Sequence, residues 1–145
     1  MRVAWWKKWL SYLAELHVES TETEYNKQMH VERLDLESLD WQEVLVLGLG
    51  LGSVPWMLER NFGQYYQYTL VEIDPEVIVL AKRYALDNLS SPMTTYCTDA
   101  LQFVQGSSQQ FDCIAMDIFL DDTVPTALEE PDLLKALRTL LAPNG

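Results

Sequence analysis

The feature that most constrains this chain is the run Val44-Leu45-Val46-Leu47 followed at once by Gly48-Leu49-Gly50-Leu51-Gly52-Ser53. An unbroken apolar run without polar alternation fits a strand covered on both faces, as in the centre of a parallel sheet. Glycines behind such a strand let the chain turn tightly into a helix and bring bare backbone close to a ligand. The helix start then presents unpaired N–H groups and the positive end of its dipole. A glycine-rich loop alone is a weak signal, so its context has to carry the argument.

Downstream, strand-like and helix-like blocks alternate. Residues 54–61 predict a helix, 68–73 a second buried strand, and 75–87 a helix that buries Val77, Ile78, Ala81 and Ala85. Asp74 before Pro75 is a capping side chain followed by proline at the first helical position. Residues 93–97 predict a third strand, 100–105 a short helix, 106–110 a polar turn and 111–116 a fourth strand. Residues 131–141 predict a helix with a stripe of Leu133, Leu134, Leu137, Leu140 and Leu141, whose first turn is made acidic by Glu129, Glu130 and Asp132. This alternation defines an α/β chain with right-handed crossovers and a parallel sheet. Pro143, Asn144 and Gly145 read as the turn between a helix and a next strand, so the sheet is expected to be truncated after its fourth strand–helix unit.

Upstream the pattern differs. Trp5, Trp9, Leu13 and Leu16 fall on one face of a predicted helix over residues 3–17. Packing of that face on the domain edge is the leading reading, with a substrate lid or self-association through the aromatic helix as alternatives. Residues 18–33 are polar and predict at most a short strand or hairpin, and 34–41 a connecting turn. The organisation expected is an N-terminal helix with an irregular or hairpin segment over 1–40, then one domain over 41–145.

Charge narrows the function. Ten basic against 22 acidic residues give a net charge of -12, which repels nucleic acid and acidic membrane surfaces. No apolar run approaches the roughly 20 residues of a membrane helix, and no leader with a small-residue cleavage site is legible. Cys97 and Cys113 lack metal-ligand spacing and read as reduced core thiols, so no metal is expected and a cytoplasmic protein is the plain reading. His17 and His30 have no serine or cysteine in a triad frame.

Three acids mark the expected ligand site. Glu72 ends the second strand, where a carboxylate can accept both ribose hydroxyls of a nucleoside. Asp99 follows the third strand and Asp117 ends the fourth. Any one of them reads equally well as a helix cap or a solvated turn residue. Their joint placement behind a glycine loop, on the rim where open parallel sheets bind ligands, favours a nucleoside site.

Here the chain resembles a family. Residues 44–59, Leu70-Val71-Glu72-Ile73-Asp74 with Glu76-Val77-Ile78, the segment Thr98-Asp99-Ala100-Leu101-Gln102-Phe103, and residues 111–141 resemble the Rossmann-like domain of class I S-adenosylmethionine-dependent methyltransferases. Within that group the spermidine synthase branch is the nearest match. The resemblance implies that Gly48, Gly50 and Gly52 line the tail of S-adenosylmethionine or its decarboxylated form. It implies further that Glu72 holds the ribose, that Ile73 packs on the adenine, and that Asp99, with Ala100 beside it, accepts the adenine amino group. Asp117 takes the place of the first catalytic-loop aspartate, and Asp121 or Asp122 that of the second. Leu51 stands where spermidine synthases carry an acid in the glycine loop, and Ile118, Phe119 and Leu120 make the catalytic loop more apolar. The hairpin domain that helps hold polyamine in that family is abbreviated or missing before Trp41.

Those departures favour a methyltransferase of the spermidine synthase-like group acting on a small or amine substrate. Aminopropyl transfer and a non-catalytic nucleoside-binding module are the alternatives. A nicotinamide-dependent dehydrogenase fits less well, since Gly48, Gly50 and Ser53 match the dinucleotide loop only loosely.

Overall fold

The computed structural model describes residues 40–118, 131–143 and 145, which belong to the second of two units, Met1–Leu39 and Asp40–Gly145. The predicted aromatic helix, both histidines, Asp121, Asp122, Glu129 and Glu130 lie outside the described residues.

Strand β1 (Glu43–Leu47) leads through the glycine loop into α1 (Ser53–Trp56), which runs on as a π-helical turn, Met57–Asn61. Then follow β2 (Gln67–Glu72), α2 (Pro75–Tyr84) with a 3₁₀ turn at Leu86–Asn88, β3 (Met93–Cys97), α3 (Ala100–Gly106), β4 (Cys113–Met116) and α4 (Pro131–Leu140). The sheet is parallel throughout, in the order β3-β2-β1-β4. The α/β reading therefore holds, strand by strand.

Burial follows from that order. Val44, Leu45 and Val46 of β1 are fully enclosed, because a central strand is covered on both faces. Leu45, Leu47 and Val71 point to one face and join Val104 of α3, Phe111, and Leu133, Leu137 and Leu140 of α4 in a single cluster. Each leucine withdrawn from water there stabilises the fold by about 2 kcal/mol. By strand alternation Val44, Val46, Tyr68 and Leu70 face the other way. Ile78 and Ala81 supply the buried flank of α2, with Ala85 buried just beyond its end, while Val77, expected on that flank, is only half-buried.

Helix starts are capped as the sequence suggests. The Asp74 carboxylate accepts the Glu76 N–H at 2.8 Å, with Pro75 at the first helical position. The Asp99 carboxylate accepts the Gln102 N–H at 3.0 Å and opens α3.

Three expectations need correction. The fourth strand begins at Cys113, not at residue 111, because the backbone of Phe111 pairs with the end of α4: its N–H donates to the Leu140 carbonyl and its carbonyl accepts the Ala142 N–H, both at 2.8 Å. Asp112 makes the bend, its carboxylate accepting the N–H groups of Gln42 at 2.8 Å and Glu43 at 2.9 Å. The second helix ends at Tyr84, where Ala85 leaves helical geometry and a 3₁₀ turn carries the chain on. Cys97 is exposed, since β3 is an edge strand, so only Cys113 is shielded and burial lifts its thiol to about 12.

Candidate active site

Strand register sets the site. Leu47 lies level with Val71 on one side and Met116 on the other, so one step onward Gly48, Glu72 and Asp117 stand abreast at the carboxyl rim. Backbone hydrogen bonds lock this line: Gly48 N–H to the Val71 carbonyl at 2.9 Å, and Asp117 N–H to the Leu47 carbonyl at 2.8 Å. The Thr98 N–H donates to the Glu72 carbonyl at 3.0 Å, which places Asp99 at the same rim, one position further round.

Glu72 holds the glycine loop in place. One carboxylate oxygen accepts the Leu49 N–H at 3.0 Å and the other the Asp74 N–H at 3.1 Å. Each oxygen keeps a further lone pair for a hydroxyl donor. A carboxylate fixed by two backbone amides is already oriented, so binding a diol through it needs little further ordering.

The three loop glycines differ in what they face. A Cβ on Gly48, at φ +83°, would lie 2.6 Å from the Asp117 carbonyl oxygen, so this position is glycine because β4 packs against it. A Cβ on Gly52 would lie 2.8 Å from the Leu86 side chain. A Cβ on Gly50, at φ +51°, would meet nothing within 4 Å, and the Gly50 N–H has no partner among the described residues. Of the three, Gly50 alone has open space where a Cβ would stand. Leu51 beside it is 59% exposed.

Asp117 is the electrostatic oddity. One carboxylate oxygen is buried without a hydrogen-bond partner, and burial raises its carboxyl above the ordinary 3.8. A carboxylate starved of donors in a partly dry position is a better proton acceptor than a solvated one. Ile73 is 66% exposed, an apolar side chain standing free at the turn after Glu72. Asp99 spends one oxygen on its cap and Ala100 is the first residue of α3.

Sequence reasoning passed over Glu59. Its carboxylate is buried on the π-helical turn and accepts the Ser90 N–H at 2.7 Å, the Ser91 N–H at 3.0 Å and the Ser91 hydroxyl at 2.7 Å. Burial pushes its carboxyl up, but these donors and the Arg60 charge outweigh that and hold it below the ordinary 4.5. The signal would have been an acid with a following Ser-Ser pair at a strand entrance, and nothing local links the two.

A parallel 3-2-1-4 sheet, a glycine loop after its first strand and an acid at the tip of its second make a Rossmann-like fold, and the relatives put the chain in the S-adenosylmethionine-dependent transferase superfamily, class I form. Within it the chain is a distant homologue of spermidine synthase-like proteins and of methyltransferases. It is 30% identical over 107 residues to a polyamine aminopropyltransferase of Vibrio vulnificus, covering 72% of this chain and 36% of that protein. It is also 30% identical over 112 residues to the eEF1A lysine and N-terminal methyltransferase of Danio rerio, covering 70% of this chain and 16% of that one. The crystal structure of human methyltransferase-like protein 13 in complex with SAH superposes with a TM-score of 0.59 at 27% identity, over 72% of this chain and 51% of that one. No family model matches. The chain thus spans about a third or less of the curated relatives it matches. Among the described residues no helix is long and apolar enough to cross a membrane.

Proposed function

We propose that the rim binds S-adenosylmethionine or its decarboxylated analogue, and that this cytoplasmic chain acts as a methyltransferase of the spermidine synthase-like group on a small amine. The observation that carries this reading is the alignment of Gly48, Glu72 and Asp117 at one level of the sheet, with Gly50 open beside them. Glu72 would accept the ribose hydroxyls, the Gly50 backbone would run along the tail, and Ile73 would cover the base. Asp99 keeps one oxygen for the adenine amino group.

Bound there, the sulfonium supplies an alkyl group already activated for transfer. The chain's own part is to place the acceptor nitrogen in line and receive its proton. Asp117, whose carboxyl burial raises, would take up the proton that the acceptor amine gives up on transfer. An acidic rim favours a cationic or amine acceptor over a polyanion.

Aminopropyl transfer is the second reading, favoured by the aminopropyltransferase among the relatives. Calorimetric titration with S-adenosylmethionine and with its decarboxylated form separates the two. Preference for the carboxylated cofactor, with methyl transfer to a panel of amines, supports the first reading. Preference for the decarboxylated form supports the second. Binding of neither overturns both.

A further inference from the structure

Strand β3 reads Met93-Thr94-Thr95-Tyr96-Cys97, rich in β-branched and aromatic residues and without a charge. Among the described residues it pairs with β2 alone, at the end of the sheet. The Tyr68 N–H donates to the Pro92 carbonyl at 2.9 Å and the Thr98 N–H to the Glu72 carbonyl at 3.0 Å, so the even-numbered residues face β2. By alternation the N–H and C=O groups of Met93, Thr95 and Cys97 point away from the sheet. Natural edges are usually guarded by lysine, proline or a bulge, and none interrupts these five residues.

The flanks of this edge are also unfinished. On one face a depression of about 350 Å³ is lined by Met93 and Thr95 with Lys82, Leu86 and Asp87; on the other, one of about 510 Å³ is lined by Tyr96 with Phe103 and Gln102. Val79 lies one helical turn from Lys82, on the same flank of α2, and is 63% exposed.

We propose that β3 pairs antiparallel with β3 of a second copy, about a two-fold axis through Thr95. In that register the side chains of the two copies are compatible. Thr95 meets its own mate and Met93 meets the partner's Cys97, each pair exchanging both outward backbone hydrogen bonds. Thr94 meets the partner's Tyr96 in the closer, non-hydrogen-bonded pair, where β-branched and aromatic side chains stabilise each other. Two strongly acidic chains meet here along an uncharged line, and each flank offers one Lys82 and one Asp87 that can pair across the axis. The inference is independent of the rim's chemistry.

Sedimentation equilibrium on the full chain over a wide concentration range is the test, with Thr95→Pro and Tyr96→Lys beside the wild type. The Thr95 N–H points outward, so proline there spares the ladder to β2 and removes a donor only from the pairing. We expect a wild-type dimer and a dissociation constant raised at least about 100-fold in Thr95→Pro. Should circular dichroism show Thr95→Pro unfolded, the exposed Tyr96→Lys decides by the same shift. A monomeric wild type, or a dimer unmoved by the folded variants, overturns the proposal. Met93→Cys tests the register: oxidised glutathione should link it to the partner's native Cys97, giving a covalent dimer that the wild type does not form. Absence of that link in a dimeric Met93→Cys chain refutes the register.

Discussion

Glu59 and Asp117 are both carboxylic acids removed from water, and the fold treats them in opposite ways. Glu59 meets three donors from Ser90 and Ser91 and is held below the ordinary carboxylate range. Asp117 has a buried oxygen with no donor and is pushed above that range. The first joins the π-helical turn to the entrance of β3. The second stands at the rim, beside the glycine loop, with its demand for a proton or a donor unmet. Burial alone therefore does not set the direction of a carboxyl's shift; the donors it meets do.

That contrast can be attacked from both sides. Asp117→Asn should lower transfer to an amine by about 100-fold or more while leaving cofactor affinity unchanged, because it removes a proton acceptor and keeps the shape. Equal turnover in the two proteins takes Asp117 out of the chemistry. Glu59→Ala should cost about 3 kcal/mol of stability in urea unfolding, since it strands the donors of Ser90 and Ser91. A folded Glu59→Ala protein should still bind nucleoside normally, and impaired binding there would blur the distinction between the two acids. Glu72→Ala should weaken nucleoside binding by about 1 to 3 kcal/mol, as expected for losing a fixed pair of acceptors.

The smallest effect is in the pH dependence of stability. Glu59 titrates lower in the folded chain than its ordinary 4.5, so its contribution is present above that value and is lost as pH falls through the folded one. Asp117 titrates above its ordinary 3.8, so its contribution is fullest below that value and fades as pH rises through the folded one. Glu59→Gln should flatten the acid-side loss, and Asp117→Asn should remove the decline on the rising side. Identical pH profiles for both variants would contradict the opposite shifts.

Much of this was legible in the residues. Val44 to Leu47 announce a central strand because nothing polar interrupts them, and Asp74-Pro75 announce a helix start because cap and proline act locally. Glu72 and Asp117 could be placed at one rim because parallel strands after helices put their carboxyl ends together. What escaped depends on distant partners. Phe111 reads as part of β4, yet its backbone pairs with the end of α4 instead. Cys97 reads as core, yet only sheet order reveals an edge. Glu59 gives no local sign of its role, because its donors come from about thirty residues on. The crowding at Gly48 and Gly52 escaped for the same reason: it comes from Asp117 and Leu86, not from their neighbours in the chain.

The claim on which the rest stands is that a nucleoside lies across the tips of β1 and β2. Isothermal titration of S-adenosylmethionine into the wild type, Glu72→Ala and Glu59→Gln tests it directly. One site in the wild type, weakened about 5- to 100-fold by Glu72→Ala and unmoved by Glu59→Gln, is the predicted result. No heat of binding in the wild type, or equal affinity in all three proteins, would contradict it.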